Sequence, residues 1–170
     1  MRTPLIRSLA APVALLLLPT LAFAQSQGVT QAIITAARTG YAMEAADSGS
    51  RYIVAPVLSG RCPTVGVIHA SGKRLRGGPR IDNYRVCENA SPELLNEMSP
   101  ALPDDEAFKQ MAFMTIQAAL RYGSLSQTWH DYRIESRRLS EPNARGCAQV
   151  ETTISADSLL VSYDVGRLCP

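Results

Sequence analysis

The sequence predicts an α+β chain: an N-terminal helix, short antiparallel strands, one buried central helix and a C-terminal three-stranded antiparallel meander, closed by two disulfides. Three observations carry that expectation. Residues 104–122, DDEAFKQMAFMTIQAALRY, place apolar side chains at helical spacing, whereas the segments from 127 onward alternate with a period of two. All four cysteines, Cys62, Cys87, Cys147 and Cys169, lie beyond the apolar N-terminus, and an even number in an exported chain reads as two bridges.

Export is read from the first 24 residues. Arg2 and Arg7 form a short positive region, residues 9–23 are an apolar run, and AFA at 22–24 is a small-residue cleavage signal. Pro12 and Pro19 interrupt the run, which falls short of the roughly 20 uninterrupted apolar residues of a membrane span. The expectation is a cleaved secretory signal, removed near Ala24, and a single domain over 25–170 with no membrane span. In a bacterium with an outer membrane this means the periplasm or beyond. Without Arg2 and Arg7 the 17 Lys and Arg become fifteen, equal to the 15 Asp and Glu, so bulk charge gives no attraction for nucleic acid.

Taken in order, residues 29–46 read as a helix with Val29, Ala32, Ile33, Ala36, Ala37 and Tyr41 on one face and Gly40 in its interior. DSGS at 47–50 stops it. RYIVAPV at 51–57 is a strand that Pro56 pushes to a sheet edge. TVGVIHA (64–70) and RIDNYRVC (80–87) are further strands, and the proline-bearing segment 91–103 reads as an irregular crossing. The central helix opens on Asp104, Asp105 and Glu106, which suit a helix N-terminus, and stops at Gly123. One strand is expected over 127–139, with His130, Tyr132 and Ile134 on one face, followed by strands at 147–154 and 159–169 around the turn SADS.

Four cysteines allow three connectivities. Cys147 and Cys169 are nearly equidistant from the SADS turn, which favours a cross-strand bridge, although strict alternation puts them on opposite faces. A β-bulge at Gly166 would bring them together, and by exclusion Cys62 pairs with Cys87. No Cys-x-x-Cys spacing points to a zinc or redox site.

GVIHASGKRLRGGPR, residues 66–80, has the look of a phosphate cradle. A nucleotide P-loop needs Gly, four residues, then Gly-Lys-Ser/Thr; here five residues separate Gly66 from Gly72-Lys73, and Arg74 stands where the hydroxyl belongs. What remains is a loop carrying Lys73, Arg74, Arg76 and Arg80. It reads either as a solvated connection whose charges protect edge strands or as a contact for an acidic protein surface, since arginine recognises carboxylates through paired hydrogen bonds. Closing the loop with a 62–87 bridge would lower the cost of ordering it on binding.

His69 sits beside this loop and His130 further along the chain. With Lys73 they would form an acid–base set for a small exported hydrolase, and otherwise they are structural. No third ligand clusters with them for a metal, and no cofactor is expected. Phe113 falls at the margin of the polar stripe of the central helix, where it is either a partner anchor or covered by 91–103. SGSRY, Ser48 to Tyr52, resembles the Ser-Gly-x-x-Tyr signature of the periplasmic C-type lysozyme inhibitors, a family whose signature loop enters the lysozyme active site. That family is a compact all-β barrel, from which a chain with two helices departs. The local reading of the same residues is a turn at Gly49 that delivers Tyr52 into a strand. The function expected is therefore a non-enzymatic protein-binding module of the envelope, an inhibitor, immunity factor or accessory component. The alternative is a hydrolase using His69, His130 and Lys73.

Overall fold

A computed structural model describes residues 21–58, 60–70, 79–95 and 98–170. Residues 1–20, which hold most of the expected leader, and the loop cations Lys73, Arg74 and Arg76 lie outside the described residues. The architecture is the expected α+β one, and it uses one arrangement twice: a helix followed by an antiparallel meander packed on it. α1 (Leu21–Thr39) precedes β1 (Met43–Asp47), β2 (Ser50–Leu58), β3 (Thr64–His69), β4 (Ile81–Arg85) and β5 (Glu93–Leu95), which pair in chain order. α2 (Glu106–Tyr122) precedes β6 (Ser124–Trp129), β7 (Tyr132–Arg138), β8 (Ala148–Ala156) and β9 (Leu159–Leu168), again paired in chain order. Each half carries one disulfide, Cys62–Cys87 in the first and Cys147–Cys169 in the second, as expected. Among the described residues no helix is long and apolar enough to cross a membrane.

α1 buries Ala32, Ile33 and Ala36 against Val54, Val65 and Val67 of the first sheet and Val86 just after β4. It ends at Thr39 rather than at 46. Gly40 is not interior: at φ 70 it takes the left-handed conformation glycine reaches without strain, and its N–H caps the carbonyl of Ala36 at 2.9 Å. Beyond it, residues 43–47 pair with β2 through a tight turn at Ser48–Gly49, Asp47 opposite Ser50. Tyr41 therefore leaves the helix and stands 61% exposed. β2 is an interior strand, yet Pro56 obeys its restriction. β1 reaches only to the partner of Val54, so Pro56 lies where β2 has run past its neighbour and its register with β3 is shifted. Segment 91–103 is less irregular than expected, because Glu93–Leu95 adds β5 beside β4.

α2 starts where the acidic residues predict. The Oδ1 of Asp105 accepts from the N–H groups of Ala107 (2.8 Å) and Phe108 (3.1 Å), and Gly123 closes the helix at φ 97. Such a cap is worth about 1 kcal/mol. Its inner face sets Phe108 against Ile134 and Ile154, and Ala119 and Leu120 against Ala148 and Val150.

The C-terminal meander has four strands because 127–139 is a hairpin and not one strand. Trp129 pairs with Tyr132, and His130 fills the turn at φ 52. The turn swaps the phase of alternation, so His130 is exposed instead of lying on the face of Tyr132 and Ile134. Trp129 joins Tyr132 there, each packing edge-on against Phe108 at 5.6 Å. The bulge that reconciles Cys147 with Cys169 also lies elsewhere. Gly166 pairs regularly with Val150, and the register shifts between Ile154 and Ser155, where β9 leaves Val161 unpaired. A shift beside the Asp157–Ser158 turn flips the phase as one at Gly166 would, and leaves the strand regular up to the disulfide.

The halves lock through Leu160 at the start of β9, which is fully buried among Ala55, Val57 and Ile68 of the first sheet. Its N–H donates to Oδ1 of Asn83 on β4 at 2.7 Å, and its carbonyl accepts from the Ser99 hydroxyl at 2.7 Å. Asn83 Nδ2 donates to the same Ser99 oxygen at 2.9 Å, so this buried amide is satisfied on both sides.

Candidate functional site

Two regions gather polar chemistry. The first is the end of the first sheet where β3 stops at His69 and β4 begins at Ile81. Backbone hydrogen bonds fasten the end of β3 on both sides there, the His69 N–H to the Arg80 carbonyl just before β4 (3.0 Å) and the Ala70 N–H to the Arg51 carbonyl of β2 (2.9 Å). Side chains repeat the clamp: His69 Nε2 donates to Asp82 Oδ2 at 2.7 Å and Arg80 Nε to Asp82 Oδ1 at 3.0 Å. The His69 ring rests edge-on against Tyr52 with centroids 5.0 Å apart. Tyr52 thus enters the sheet from the Ser48–Gly49 turn, as the local reading of SGSRY predicts. Burial pushes the Asp82 carboxyl up, but hydrogen bonds from His69 and Arg80 and their charges outweigh it, leaving the group below its ordinary value. Burial first, and then the charge of Asp82, raises the Tyr84 phenol next to it.

A depressed carboxyl stabilises the fold above its unfolded value and loses that contribution as pH falls through its folded value. Asp82→Asn is therefore expected to cost about 1–2 kcal/mol near neutral pH, the scale of hydrogen bonds to a charged group. In urea titrations at a series of pH values, the gap from the wild type should close below the ordinary value of 3.8. A gap that stays constant into acid would show that the carboxylate is not what holds the clamp.

The second region is a cleft of about 360 Å³ between the halves, where the C-terminal end of α1 and β2 face the side of β6–β8 turned away from α2. Its floor is laid in cross-strand rows, Ser126–Glu135–Thr153 and Ser124–Arg137–Glu151. Glu151 is 6% exposed and is satisfied at both oxygens. Arg137 donates to Oε2 through Nη2 and, at 3.0 Å, through Nε, while the Tyr163 hydroxyl donates to Oε1 at 2.9 Å. The Arg137 guanidinium also covers the Tyr41 ring, 4.7 Å from its centroid. Burial and the Glu151 hydrogen bond push the Tyr163 phenol far up, so it serves as a neutral donor. Arg133 is neutralised by Glu135 in the same way. The network ties the stretch after α1 to the second sheet, and its charges are spent on each other. Nothing at the level of single residues marks Glu151, since its partners become visible only with the β7–β8 and β8–β9 registers.

Of the residues expected to act, Arg80 keeps 67% of its side chain exposed although paired with Asp82. Phe113 belongs to the other half and is 61% exposed, beside Met114 at 57%, so 91–103 does not cover it. His69 stands on the first sheet. His130 stands in the β6–β7 turn with its ring 4.2 Å from Trp129, and no hydrogen bond or ring contact joins the two histidines among the described residues. Among the described residues no three His, Cys, Asp or Glu side chains gather as a metal site requires. No protein-family model matches the chain, and neither a curated protein nor a solved structure is significantly similar to it.

Proposed function

We propose that this chain is an exported, non-enzymatic protein-binding module, an inhibitor or immunity factor or an accessory part of an envelope assembly. Its contact surface is the cationic 70–80 loop, with Lys73, Arg74, Arg76 and Arg80, and Phe113 is a second, separate anchor. The observation that carries the reading is the clamp at the base of the loop. His69, Asp82 and Arg80 hold the two flanks together, and Cys62–Cys87 bridges the strands' far ends, so cations leave a fixed platform and lose less freedom on binding. Two disulfides fit an oxidising compartment.

The test is crosslinking of the tagged chain in its native envelope, followed by binding measurements with the purified partner. Replacing Lys73, Arg74 and Arg76 together by alanine should weaken binding about tenfold or more, mainly at low salt, as screened cation–carboxylate contacts require. A partner bound equally well by that variant, or no partner at all, would overturn the reading. One observation favours the hydrolase alternative: Asp82 orients the His69 imidazole, as a carboxylate does for a general base. Hydrolysis of a chromogenic phosphodiester, lost in both His69→Ala and His130→Ala, would establish it.

A further inference from the structure

At the end of the first sheet opposite the 70–80 loop lies a cavity of about 500 Å³. Its walls are the last turn of α1 with Arg38, the approach to β3 with Arg61, and the chain leaving β4 with Cys87, Glu88 and Asn89. Six arginines, Arg51, Arg80, Arg85, Arg133, Arg137 and Arg138, lie within 4.0 Å of a carboxylate. Of the five described arginines without a carboxylate partner among the described residues, Arg38 and Arg61 line this one cavity. Glu88 is the single acid in the wall and makes no ion pair there among the described residues.

Both arginines stand on firm supports. Arg61 precedes Cys62 and Glu88 follows Cys87, so the disulfide joins two walls of the cavity. The Val86 N–H donates to the Pro63 carbonyl at 2.9 Å across the same gap. Arg38 is held by a helix whose neighbouring Ala36 is fully buried, and its charge offsets the negative end of α1. Two like charges on the walls of one cavity favour an anion there, and planar guanidinium forks suit a carboxylate or phosphate oxygen pair. We infer that this cavity binds an oxyanion, a carboxylate or phosphate group held between Arg38 and Arg61. Asn89 adds an amide that can donate, and Glu88, the single acid in the wall, disfavours an anion beside it. The inference stands apart from the loop at the other end of the sheet.

The experiment is a titration of the full chain with inorganic phosphate, citrate and acetate, each against sodium chloride at matched ionic strength, followed by amide chemical shifts. Shifts should cluster at 60–62 and 86–90 and saturate. Arg38→Gln and Arg61→Gln should each weaken binding about tenfold, the loss of one charge-assisted pair, and the double variant should abolish it. Arg145→Gln, an exposed arginine of the other half, should change nothing. Should either glutamine variant fold poorly, Arg38→Lys and Arg61→Lys keep the charge and lose the fork, and are expected to weaken binding by a smaller factor. Saturation with phosphate alone marks a phosphate ester as the ligand class, and saturation with citrate and acetate alone marks a carboxylate. No saturable shift beyond the chloride control, or binding unaltered in the double variant, overturns the inference.

Discussion

Gly66→Ala is expected to destabilise the protein by about 3 kcal/mol, at the upper end of what overpacking a core costs. Gly66 is buried in the middle of β3, and its missing side chain is the space that Leu160 occupies. A Cβ built there would stand 2.5 Å from the Cβ of Leu160 and 2.9 Å from its Cγ, and closer still to Cδ2. A rotamer change could move Cδ2 but not Cβ, which travels only with the backbone. That backbone is fixed at both polar atoms, by Asn83 at its N–H and by Ser99 at its carbonyl. Relief therefore requires separating the halves, with loss of the contacts of Leu160 to Ala55, Val57 and Ile68. The check is urea unfolding of Gly66→Ala, Leu160→Ala and the double variant. Leu160→Ala alone should cost about 3 kcal/mol through the cavity it leaves. Leu160→Ala removes Cγ and Cδ2 but keeps the Cβ at 2.5 Å, so the alanine at 66 should still cost about 1–2 kcal/mol there, less than in the wild type by a coupling that a double-mutant cycle resolves. Equal costs in both backgrounds would mean that the glycine is required for some other reason.

Much of this fold is legible in the sequence because local signals and tertiary packing agree. α2 carries a cap residue, an apolar stripe and a terminal glycine, and all three are used. The β8–β9 hairpin follows from spacing, the Cys147–Cys169 bridge from spacing together with a bulge, and Cys62–Cys87 by exclusion. What local pattern misses are elements decided by a partner. Residues 43–47 contain good helix formers that continue the apparent period of α1, and only pairing with β2 makes them a strand. The β6–β7 turn lacks the Asn-Gly or Asp-Gly signal, because His130 takes the positive φ itself, so alternation reads straight through it. The bulge that aligns Cys147 with Cys169, expected at Gly166, lies at Val161, beside the turn. The candidate sites divide in the same way. The basic loop and His69 are visible as runs and single residues, whereas the Asp82 clamp, the Glu151 network and the Arg38–Arg61 cavity each join segments that only the fold makes neighbours.

Arg137–Glu151 is the ion pair whose disruption should matter most. The Glu151 side chain is 8% exposed against 35% for Arg137, so the pair straddles the boundary between core and solvent. Deleting one member of a buried pair costs about 3–5 kcal/mol, because the survivor is left without compensation. Which member survives decides where in that range each variant falls. In Glu151→Ala the stranded Arg137 still reaches water and the Tyr41 ring, so the loss should be near 3 kcal/mol, including the orphaned Tyr163 hydroxyl. In Arg137→Ala the stranded group is the buried carboxylate, which has only Tyr163 left to bind it, and the loss should exceed that of Glu151→Ala. Glu151→Gln keeps an acceptor for Tyr163 but gives up the charge, and should cost about 1–2 kcal/mol. Urea unfolding of the two alanine variants and their double at neutral pH measures the difference directly. The double should cost clearly less than the sum, since neither partner is then left stranded. Additive losses, or a larger loss for Glu151→Ala than for Arg137→Ala, would mean that the pair sits on the cleft floor without holding it, and that the join between the halves rests on Leu160 alone.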